Sequence, residues 1–423
     1  MRLYLIASKP TDSVNFGFLP AAGRLGLDVA LLTDRPEEHE RALASSRLLP
    51  RPGCPPGDGD HRADTVPARI VACDVWDPAG LIGAIAALPR PDAVFSNSDH
   101  LQAQTALAAA YFGVPGKDWR AAMRARHKPL MRRWLAGTGT ERVTATEIRP
   151  DTRHPLRHLA FPVVLKPAAG VASEDVMLVG GPDELAVRCA QIFARRPGQT
   201  LIAEQYLPGV LRTVETLGDG VTTWVLGGFR TRLSPPPFFV EERLTWDAPP
   251  PAAEKHVLTA LAGLGVTFGA CHTEYVLDAV RGPALIEVND RMIGDHGDFL
   301  LADLLGTDLF ELVLRVHLGE PLPPGAPPKT PPGRAHAVID YVVADRPGVL
   351  ATAGPAARGP AAEPGVMFSC RPLRAAGDRI ARTNTNRDYL AVIIAIGADP
   401  GAVDRCVAAL RAAGSWQVTE PRP

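Results

Sequence analysis

The chain has 423 residues and a formal net charge of −1. This length exceeds what a single hydrophobic core usually organises, so we expect several packed lobes. Because the charge is balanced and no basic stripe stands out, nucleic acid is not an expected partner. No apolar run reaches the roughly 20 residues of a membrane helix, and the N-terminus lacks a signal-peptide pattern. The expected location is therefore the cytoplasm, with no membrane partner.

The cysteines are spread along the chain without a CxxC pair, at positions Cys54, Cys73, Cys189, Cys271, Cys370 and Cys406. Such spacing favours neither a disulfide framework nor a zinc site. We therefore expect reduced cysteines with structural roles.

The first part of the chain alternates short apolar runs with helical patterns. The runs are "RLYLIAS", "DVALLTD", "RIVACD" and "DAVFSNSD", with predicted helices near 18–25, 78–88 and 101–112. This alternation predicts a parallel sheet covered by helices. Ligands bind at the carboxyl ends of such strands, so Asp34, Asp74 and 97–100 are expected to face a crevice. The same residue types also cap helices, which leaves a structural role open. The segment 51–69, rich in proline and glycine, is predicted to be a surface loop.

A basic segment and a lysine-bearing strand follow. The segment Trp119–Gly137 is predicted to be one helix, and its charges alone are typical of a solvated face. The next strand, in "FPVVLKPAAGVASEDVMLV", delivers Lys166 into a loop of small residues. A buried lysine is costly unless it meets an anion, and small residues let backbone N–H groups approach phosphate oxygens. Since no GK[ST] follows, the pattern predicts a strand–loop–strand phosphate flap rather than a Walker A loop.

Two further stretches combine apolar strands with polar ends. In "LIAEQYLPGVLRTVETLGDG" a strand leaves through 204–207 into a Pro-Gly turn, where exposed backbone groups could pair with a purine or simply connect two strands. In "PALIEVNDRMIGDHGD" the apolar strand ends in charged and polar residues. Alternation places Glu287 and Asn289 on one face of that strand, and Glu274 lies on the preceding strand "HTEYVLD".

These motifs occur in one order, and from about 92 to 320 the chain resembles the ATP-grasp superfamily. The likeness is closest to its carboxylate–amine ligases of the L-amino acid ligase type. It implies an α/β and α+β multidomain protein with the ATP-grasp fold, an N-terminal Rossmann-like parallel-sheet domain and a C-terminal α+β lobe. The implied parts are 1–117 (N-terminal domain), 118–320 (ATP-grasp domain, with a flap lobe about 140–207 and a metal-binding lobe about 208–320), 321–333 (proline-rich linker) and 334–423 (C-terminal lobe).

The resemblance implies an ATP site with defined contacts. It places Lys128 on the nucleotide phosphates, Lys166 on the α- and β-phosphates as a catalytic cation, and Ser173 near the triphosphate. At the adenine hinge it places Glu204 near the exocyclic amine and the backbones of Gln205 and Leu207 on the purine edge. One departure is Leu211, where these ligases commonly carry a glutamate. Glu215 is the remaining candidate for that carboxylate role, toward nucleotide or substrate.

The resemblance also implies a metal site and a catalytic arginine. Glu274, Glu287 and Asn289 offer two carboxylates and an amide oxygen, the hard ligands that Mg²⁺ prefers, with Mn²⁺ as a substitute. Arg291 matches the arginine that contacts the transferring phosphoryl group, whereas a structural salt bridge is its simpler interpretation. His296 is a candidate to orient a substrate, with a structural role equally open.

The function implied is an ATP-dependent, ADP-forming ligase that activates a small acid as an acyl phosphate and joins it to an amine. Its partners would be these small molecules, and any assembly is expected to be a homodimer. Two alternatives stay open: an ATP-grasp carboxylase or formate- or phosphoribosyl-substrate ligase, and a non-catalytic ATP-binding regulatory module.

The end of the chain is less informative about chemistry. One long helix is predicted over Phe299–Gly319, followed by the proline-rich linker. In the C-terminal lobe the loop Arg382–Tyr389, "RTNTNRDY", is a candidate to reach the substrate or simply to pack.

Overall fold

The computed structural model describes residues 1–46, 69–151 and 159–420. The predicted surface loop at 51–69 lies outside these residues except for its last position. Among the helices of the described ranges, none has the length and apolar character needed to cross a membrane.

The N-terminal part is a parallel sheet flanked by helices. Its strands, in the order β3-β2-β1-β4, are β1 (Arg2–Ile6), β2 (Asp28–Thr33), β3 (Arg69–Ala72) and β4 (Ala93–Phe95). Its helices are α1 (Leu19–Arg24), α2 (Pro36–Ser46), α3 (Pro78–Ala86) and α4 (Gln102–Phe112). Asp77 starts α3 by accepting hydrogen bonds from two backbone N–H groups, and Gly113 ends α4 at φ 64°. The parallel order brings all four carboxyl ends to one edge.

The basic segment forms two helices, and the prediction of a single helix over Trp119–Gly137 is wrong. The observed helices are α5 (Trp119–Arg126) and α6 (Lys128–Gly137). Between them His127 is extended, at φ −101° and ψ 96°, and its Nδ1 accepts from the backbone N–H of Leu130 at 3.4 Å. Pro129 explains the break, because it has no N–H for a continuous helix and its ring would clash with the preceding turn. The break turns Lys128 inward, where it is buried.

The next part is an antiparallel sheet that carries the loop of small residues. Its strands, in the order β5-β8-β6-β7, are β5 (Ala145–Ile148), β6 (Val163–Pro167), β7 (Met177–Val179) and β8 (Leu201–Gln205). Helix α7 (Pro182–Arg195) covers this sheet with its buried Leu185 and Ile192. The loop between β6 and β7 forms the predicted strand–loop–strand flap.

A large sheet follows, with strand order β14-β13-β9-β11-β12-β15-β20-β18-β17 and β10 paired to β9. Its strands are β9 (Val210–Asp219), β10 (Thr223–Gly227), β11 (Phe229–Leu233), β12 (Glu241–Trp246), β13 (Phe268–Asp278), β14 (Gly282–Asn289), β15 (His336–Val343), β17 (Ala357–Pro360), β18 (Met367–Pro372) and β20 (Tyr389–Gly397). Helix α8 (Pro251–Leu264) packs beneath β13 and β14 through apolar residues such as Val257 and Leu261.

The prediction of one long helix over Phe299–Gly319 is also wrong. The chain instead forms α9 (Gly297–Leu305) and α10 (Leu309–His317). Gly306 ends α9 in the left-handed region at φ 60°, a conformation that glycine adopts without a steric penalty. Asp308 then starts α10 by accepting from the backbone N–H of Glu311 at 3.1 Å.

The C-terminal residues continue the large sheet. Strand β15 pairs antiparallel with β12, so β15, β20, β18 and β17 extend the sheet that carries β13 and β14. The remaining elements are α11 (Pro400–Ala413) and a small sheet of β16 (Gly348–Thr352), β19 (Arg379–Ile380) and β21 (Gln417–Thr419). Backbone hydrogen bonds therefore fix these residues relative to the central strands.

Candidate active site

A cavity of about 830 Å³ lies where the N-terminal sheet, the flap sheet and the large sheet meet. The carboxyl ends of β1 and β4 contribute Asp12 and 97–100, and the flap loop contributes Gly170 and Ser173. Strands β13 and β14 contribute Glu274 and Glu287 to its floor. Most sequence-predicted site residues line this cavity: Lys128, Lys166, Ser173, Glu204, Gln205, Leu207, Glu274, Glu287, Asn289, Arg291 and His296.

The two predicted metal-binding carboxylates face each other across β13 and β14. Glu274 is the direct partner of Glu287 in the antiparallel register, and Asn289 Nδ2 lies 3.4 Å from Glu274 Oε1. Like charges directly opposite in a sheet are destabilising. Burial raises the pKa of Glu287. The ammonium of Lys128 lowers it, and the negative charge of Glu274 raises it further, so the net shift is upward. A divalent cation between the carboxylates would remove this repulsion.

The donor set fits Mg²⁺ through its chemistry. It consists of two carboxylates and an amide oxygen, and nucleotide phosphates can supply further oxygens. Within the described residues no group of three or more His, Cys, Asp or Glu side chains forms a metal site. A site built from protein atoms alone is thus not found there, and Glu274, Glu287 and Asn289 are suited to a cation that arrives with phosphate oxygens.

Lys128 already serves as a counter-ion at this position. Its Nζ lies 2.7 Å from Glu287 Oε1 and donates to the carbonyl oxygen of Gly170 at 3.2 Å. Its backbone N–H donates to Ala168 O at 2.9 Å, which ties the start of α6 to the flap loop. The ammonium therefore lies between β14 and the flap loop, where it could reach anionic oxygens from either side.

Lys166 belongs to a buried network of charges beside β14, where its Nζ lies 3.5 Å from the carbonyl oxygen of Ile286. Its Nζ lies 2.6 Å from Glu204 Oε2, while Arg132 Nε donates to Glu204 Oε1 at 2.8 Å. Burial opposes ionisation of Glu204, but the charges of Arg132 and Lys166 outweigh it and lower the pKa to about 2. Burial lowers the pKa of Lys166, and Glu204 counteracts that effect. The carboxylate of Glu204, which was predicted to lie beside the adenine amine, thus pairs with two cations.

The residues predicted to contact the nucleotide from the flap and the hinge differ in whether their polar groups already have hydrogen-bond partners. Ser173 Oγ donates to Phe239 O at 2.9 Å, and its φ of 54° lies in the left-handed region. The N–H of Gln205 donates to Thr144 O at 2.8 Å, so only its carbonyl can serve as a purine contact. Leu207 lines the cavity in the turn between β8 and β9, at the end expected for a base.

Glu215 occupies a different place from the one predicted. It is absent from the cavity lining formed by the described residues. Its Oε1 lies 2.8 Å from His272 Nδ1, and His272 Nε2 lies 3.5 Å from Glu274 Oε1. Burial disfavours the charged imidazole, but Glu215 and Glu274 outweigh this and raise the pKa of His272 to about 10. Glu215 therefore acts through His272 on Glu274, and Leu211 itself lines the cavity.

The opposite end of the cavity joins residues far apart in sequence. Arg291 donates to Met292 O at 2.7 Å, and the N–H of Met292 donates to Asn97 Oδ1 at 3.1 Å. His296 Nε2 lies 2.8 Å from Asp12 Oδ2. Arg371 of β18 also pairs with Asp12, at 3.0 Å. His296 thus links the N-terminal domain to α9.

Glu241 is a cavity residue to which sequence reasoning assigned no role. Burial and the charge of Glu274 raise its pKa to about 8, against the opposing charge of His272. Asn386 holds it on both sides: Asn386 Oδ1 accepts from its backbone N–H at 3.1 Å, and Nδ2 donates to its Oε2 at 3.3 Å. The available signal was the pair of glutamates that directly follows the apolar run "FFV".

The loop Arg382–Tyr389 reaches the cavity. Asn386 and Arg387 line it, and the N–H of Asn386 donates to Ala172 O in the flap at 3.1 Å. Arg387 Nη2 also lies 3.5 Å from Glu174 Oε2. The C-terminal residues therefore close the flap side of the cavity.

No family model matches the chain. A protein of Sinorhizobium fredii, described as uncharacterized protein y4rH, is 27% identical over 270 residues, which cover 60% of this chain and 55% of that protein. Carnosine synthase 1 of Gallus gallus is 26% identical over 341 residues, which cover 74% of this chain and 34% of that protein. The chain thus matches about half the length of the first relative and about a third of the second.

Solved structures share the fold over nearly the whole chain. L-amino acid ligase from Bacillus licheniformis superposes with a TM-score of 0.75 at 21% identity, over 97% of each chain. The biotin carboxylase domain of the Hydrogenobacter thermophilus 2-oxoglutarate carboxylase, crystallised with MgADP and bicarbonate, gives 0.68 at 16% identity, over 99% of this chain and 90% of that one. At these identities the likeness establishes the fold, and the predicted ATP-grasp fold is confirmed.

Proposed function

We propose that the protein is an ATP-dependent, ADP-forming ligase that activates a small carboxylic acid as an acyl phosphate and joins it to an amine. The facing pair Glu274 and Glu287 carries this proposal, because it lies at the cavity floor with Asn289 and is followed by Arg291. Such a group of oxygen ligands and an arginine suits phosphoryl transfer at the end of a triphosphate. The names of the amino acid ligase and carnosine synthase support the amide-forming class.

ATP would lie between the flap and large sheets. The base would enter the turn after β8, near Leu207, and the phosphates would pass beneath the flap. Lys128 and Lys166 are both buried and held by carboxylates, so each ammonium is fixed before the nucleotide arrives. Fixed cations stabilise a transferring phosphoryl group without reorganising during the reaction.

Glu274, Glu287 and Asn289 would hold Mg²⁺, or Mn²⁺ in its place. When bound, the metal neutralises charge on the phosphate oxygens. His272 keeps Glu274 ionised: burial opposes the charge on that carboxylate, but the hydrogen bond and charge of His272 lower its pKa. The carboxylate is thereby ready to accept a cation near neutral pH.

The acid would place its carboxylate beside Arg291. One of its oxygens attacks the γ-phosphorus, the bond to ADP breaks, and the acyl phosphate forms. The amine nitrogen then attacks the acyl carbon, and the carbon–oxygen bond to phosphate breaks. The attacking nitrogen must lose a proton, and Glu241 is suited to receive it because its pKa is raised to about 8.

Trapping with hydroxylamine tests this function without knowledge of the natural amine. Small carboxylic and amino acids are incubated with the protein, ATP, Mg²⁺ and hydroxylamine, and hydroxamate, ADP and phosphate are measured. We expect one class of acid to give all three products. Bicarbonate-dependent ADP release without a hydroxamate would favour the carboxylase alternative. ATP binding without acid-dependent ADP release would favour a regulatory module.

A further inference from the structure

Two buried tyrosines beside Glu241 have no part in the chemistry described above. Tyr341 of β15 is 2% exposed and lines the cavity, and Tyr389 at the start of β20 is 5% exposed. Their rings stack with the centroids 4.1 Å apart and the planes inclined by 4°. We call these two residues the tyrosine pair.

A β-bulge brings the two rings together. Val343 of β15 pairs with Tyr389, although the regular antiparallel register would continue to Leu390. Because successive strand residues point to opposite faces, the extra residue turns Tyr389 onto the face that carries Tyr341. The packing agrees: Leu390 lies in the core on the other face, whereas both tyrosines belong to one cluster. The stack thus depends on a local irregularity of the sheet, a feature that often re-aims a side chain next to a functional site.

The hydroxyls of the tyrosine pair hold two different segments of the cavity wall. Tyr341 Oη donates to Asp295 O at 3.2 Å, and Tyr389 Oη donates to Glu241 O at 2.9 Å. Asp295 and Glu241 both line the cavity. Burial raises the pKa of Tyr341, and the charges of Asp295 and Glu241 add to the shift, so this hydroxyl keeps its proton and remains a donor. The stack therefore sets the position of one segment relative to the other.

The segment that Tyr341 holds is a tight turn with an uncommon backbone. Gly297 N–H donates to Gly294 O at 2.8 Å, and the two central residues, Asp295 and His296, have φ of 51° and 69°. Non-glycine residues rarely adopt this region, and they keep it only where their surroundings fix them. Here Tyr341 Oη fixes the carbonyl of Asp295, so the hydroxyl supports a shape that the sequence does not favour by itself.

Glu241 is fixed from the same side of the cavity. Tyr389 holds its carbonyl oxygen, while Asn386 contacts its backbone N–H and its carboxylate. Burial and the charge of Glu274 raise the pKa of Glu241, and the charge of Asp295 adds to that shift, so the two carboxylates act across one space. Within the described ranges, neither tyrosine hydroxyl contacts the flap loop or the two lysines proposed for the phosphates.

We propose that the tyrosine pair positions Glu241 and the turn 294–297 for the second half of the reaction, in which the amine attacks the acyl phosphate. Tyr341 and Tyr389 are positioning residues, because they act through the backbone of the residues that they hold. In this half-reaction a nitrogen–carbon bond forms, the carbon–oxygen bond to phosphate breaks, and the nitrogen passes its proton to Glu241. The inference rests on the proposed ligase function.

The first half of the reaction depends on other groups. Transfer of the phosphoryl group to the acid uses Lys128, Lys166 and the metal-binding residues, which the tyrosine pair does not contact. A displaced Glu241 should therefore slow amide formation and leave acyl phosphate formation in place. Hydroxylamine reports the first half by itself, because this small nucleophile is largely unprotonated near neutral pH and needs no positioned proton acceptor to attack the acyl phosphate.

The experiment measures both halves in Tyr389→Phe and Tyr341→Phe, which keep the rings and remove one hydroxyl each. The probes are the acid found by trapping, with either hydroxylamine or the best amine from a panel of common amino acids and simple primary amines. For Tyr389→Phe we expect kcat for amide formation to fall at least about tenfold, while hydroxamate formation changes less than about twofold. The ADP released per amide should rise, because water consumes the waiting acyl phosphate. Tyr341→Phe should show the same split with a smaller loss, about threefold.

The split separates positioning from a loss of folded protein, because both half-reactions need the same folded chain. The control Tyr111→Phe removes the hydroxyl of a tyrosine of α4 that is 67% exposed, and it should leave both rates unchanged. Equal losses of hydroxamate and amide in Tyr389→Phe, or no loss of either, would overturn the inference. Absence of hydroxamate from the wild-type protein with every acid would instead overturn the ligase function, and this inference with it.

Discussion

The two ends of the cavity differ in how their charges are satisfied. At the end proposed for the phosphates, here called the phosphate end, Lys166 and Arg132 share Glu204, and Lys128 pairs with Glu287, all at 2.6 to 2.8 Å. At the end proposed for the substrates, here called the substrate end, Lys9 has no ion pair among the described residues, and the pKa of Glu241 is raised to about 8 by burial and Glu274. Each of these cations at the first end has a carboxylate partner, whereas the second end retains charges that a ligand could match.

This difference distinguishes residues suited to a ligand that all such enzymes would share from residues that could select one particular substrate. A triphosphate is always anionic, so cations held by carboxylates can be fixed in advance and exchange partners when it binds. A substrate pair varies between ligases, and unmatched groups can discriminate among candidates.

The largest effect is expected from Glu287→Gln. The change removes one of the two facing carboxylates, so kcat should fall by about a hundredfold or more and the Mg²⁺ requirement should rise. Measuring kcat against Mg²⁺ concentration tests this, with the exposed Glu40→Gln as the control. Wild-type turnover and metal dependence in the variant would move the metal site elsewhere.

Glu204→Gln should act on stability. It leaves Arg132 and Lys166 without their shared carboxylate, so the free energy of unfolding at pH 7 should fall by about 3 kcal/mol. The pKa of Glu204 is lowered to about 2 from an ordinary 4.5, so its contribution is present above pH 4.5 and lost as pH falls toward 2. Denaturant unfolding at several pH values should show the wild-type advantage shrinking over that window. A constant difference would contradict the linkage.

Lys166→Ala should weaken nucleotide binding. Arg132 still holds Glu204 in this variant, so the fold should persist while the Kd for ATP rises about tenfold to a hundredfold. Calorimetric titration with a non-hydrolysable ATP analogue measures the Kd, and Lys329→Ala is the matched control. Unchanged affinity in a folded variant would exclude Lys166 from the phosphate site.

Asn386→Ala should give the smallest effect. It removes the two side-chain contacts to Glu241 but leaves the backbone contact of residue 386 to the flap. We expect kcat/KM for the amine to fall about fivefold, with a shift of the low-pH limb of the pH profile, which reports a proton acceptor, and little change in ATP affinity. A loss confined to ATP affinity would show that the loop serves the flap alone.

The strands and the loop around the proposed phosphate end were largely predictable because they rest on local patterns. Lys166 ends an apolar strand before a loop of small residues, and strand alternation put Glu287 and Asn289 on one face. Pro129 and Gly306 mark the two helix breaks in the sequence, although the apolar periodicity on either side of each favours one longer helix. The domain boundaries near 117, 320 and 333, and the catalytic roles of the site residues, stay predictions.

The substrate end was less predictable because its contacts cross the whole chain. Asp12 meets both His296 and Arg371, which lie 284 and 359 positions away. Glu241 takes its properties from Glu274 and Asn386, which lie 33 and 145 positions away, so the two glutamates after "FFV" mark the residue but not its surroundings. Its nearness to Leu211 in sequence predicts a cavity role for Glu215, but strand pairing sets it opposite His272, behind the cavity lining of the described residues.

The central claim is that phosphoryl transfer occurs at the γ-phosphorus of ATP, and isotope transfer tests it most directly. The acid identified by hydroxylamine trapping is labelled with ¹⁸O in its carboxylate, and the products are analysed by mass spectrometry. Attack at the γ-phosphorus predicts ADP together with phosphate that carries one ¹⁸O atom. AMP carrying the label, with pyrophosphate as the other product, would contradict the proposed mechanism.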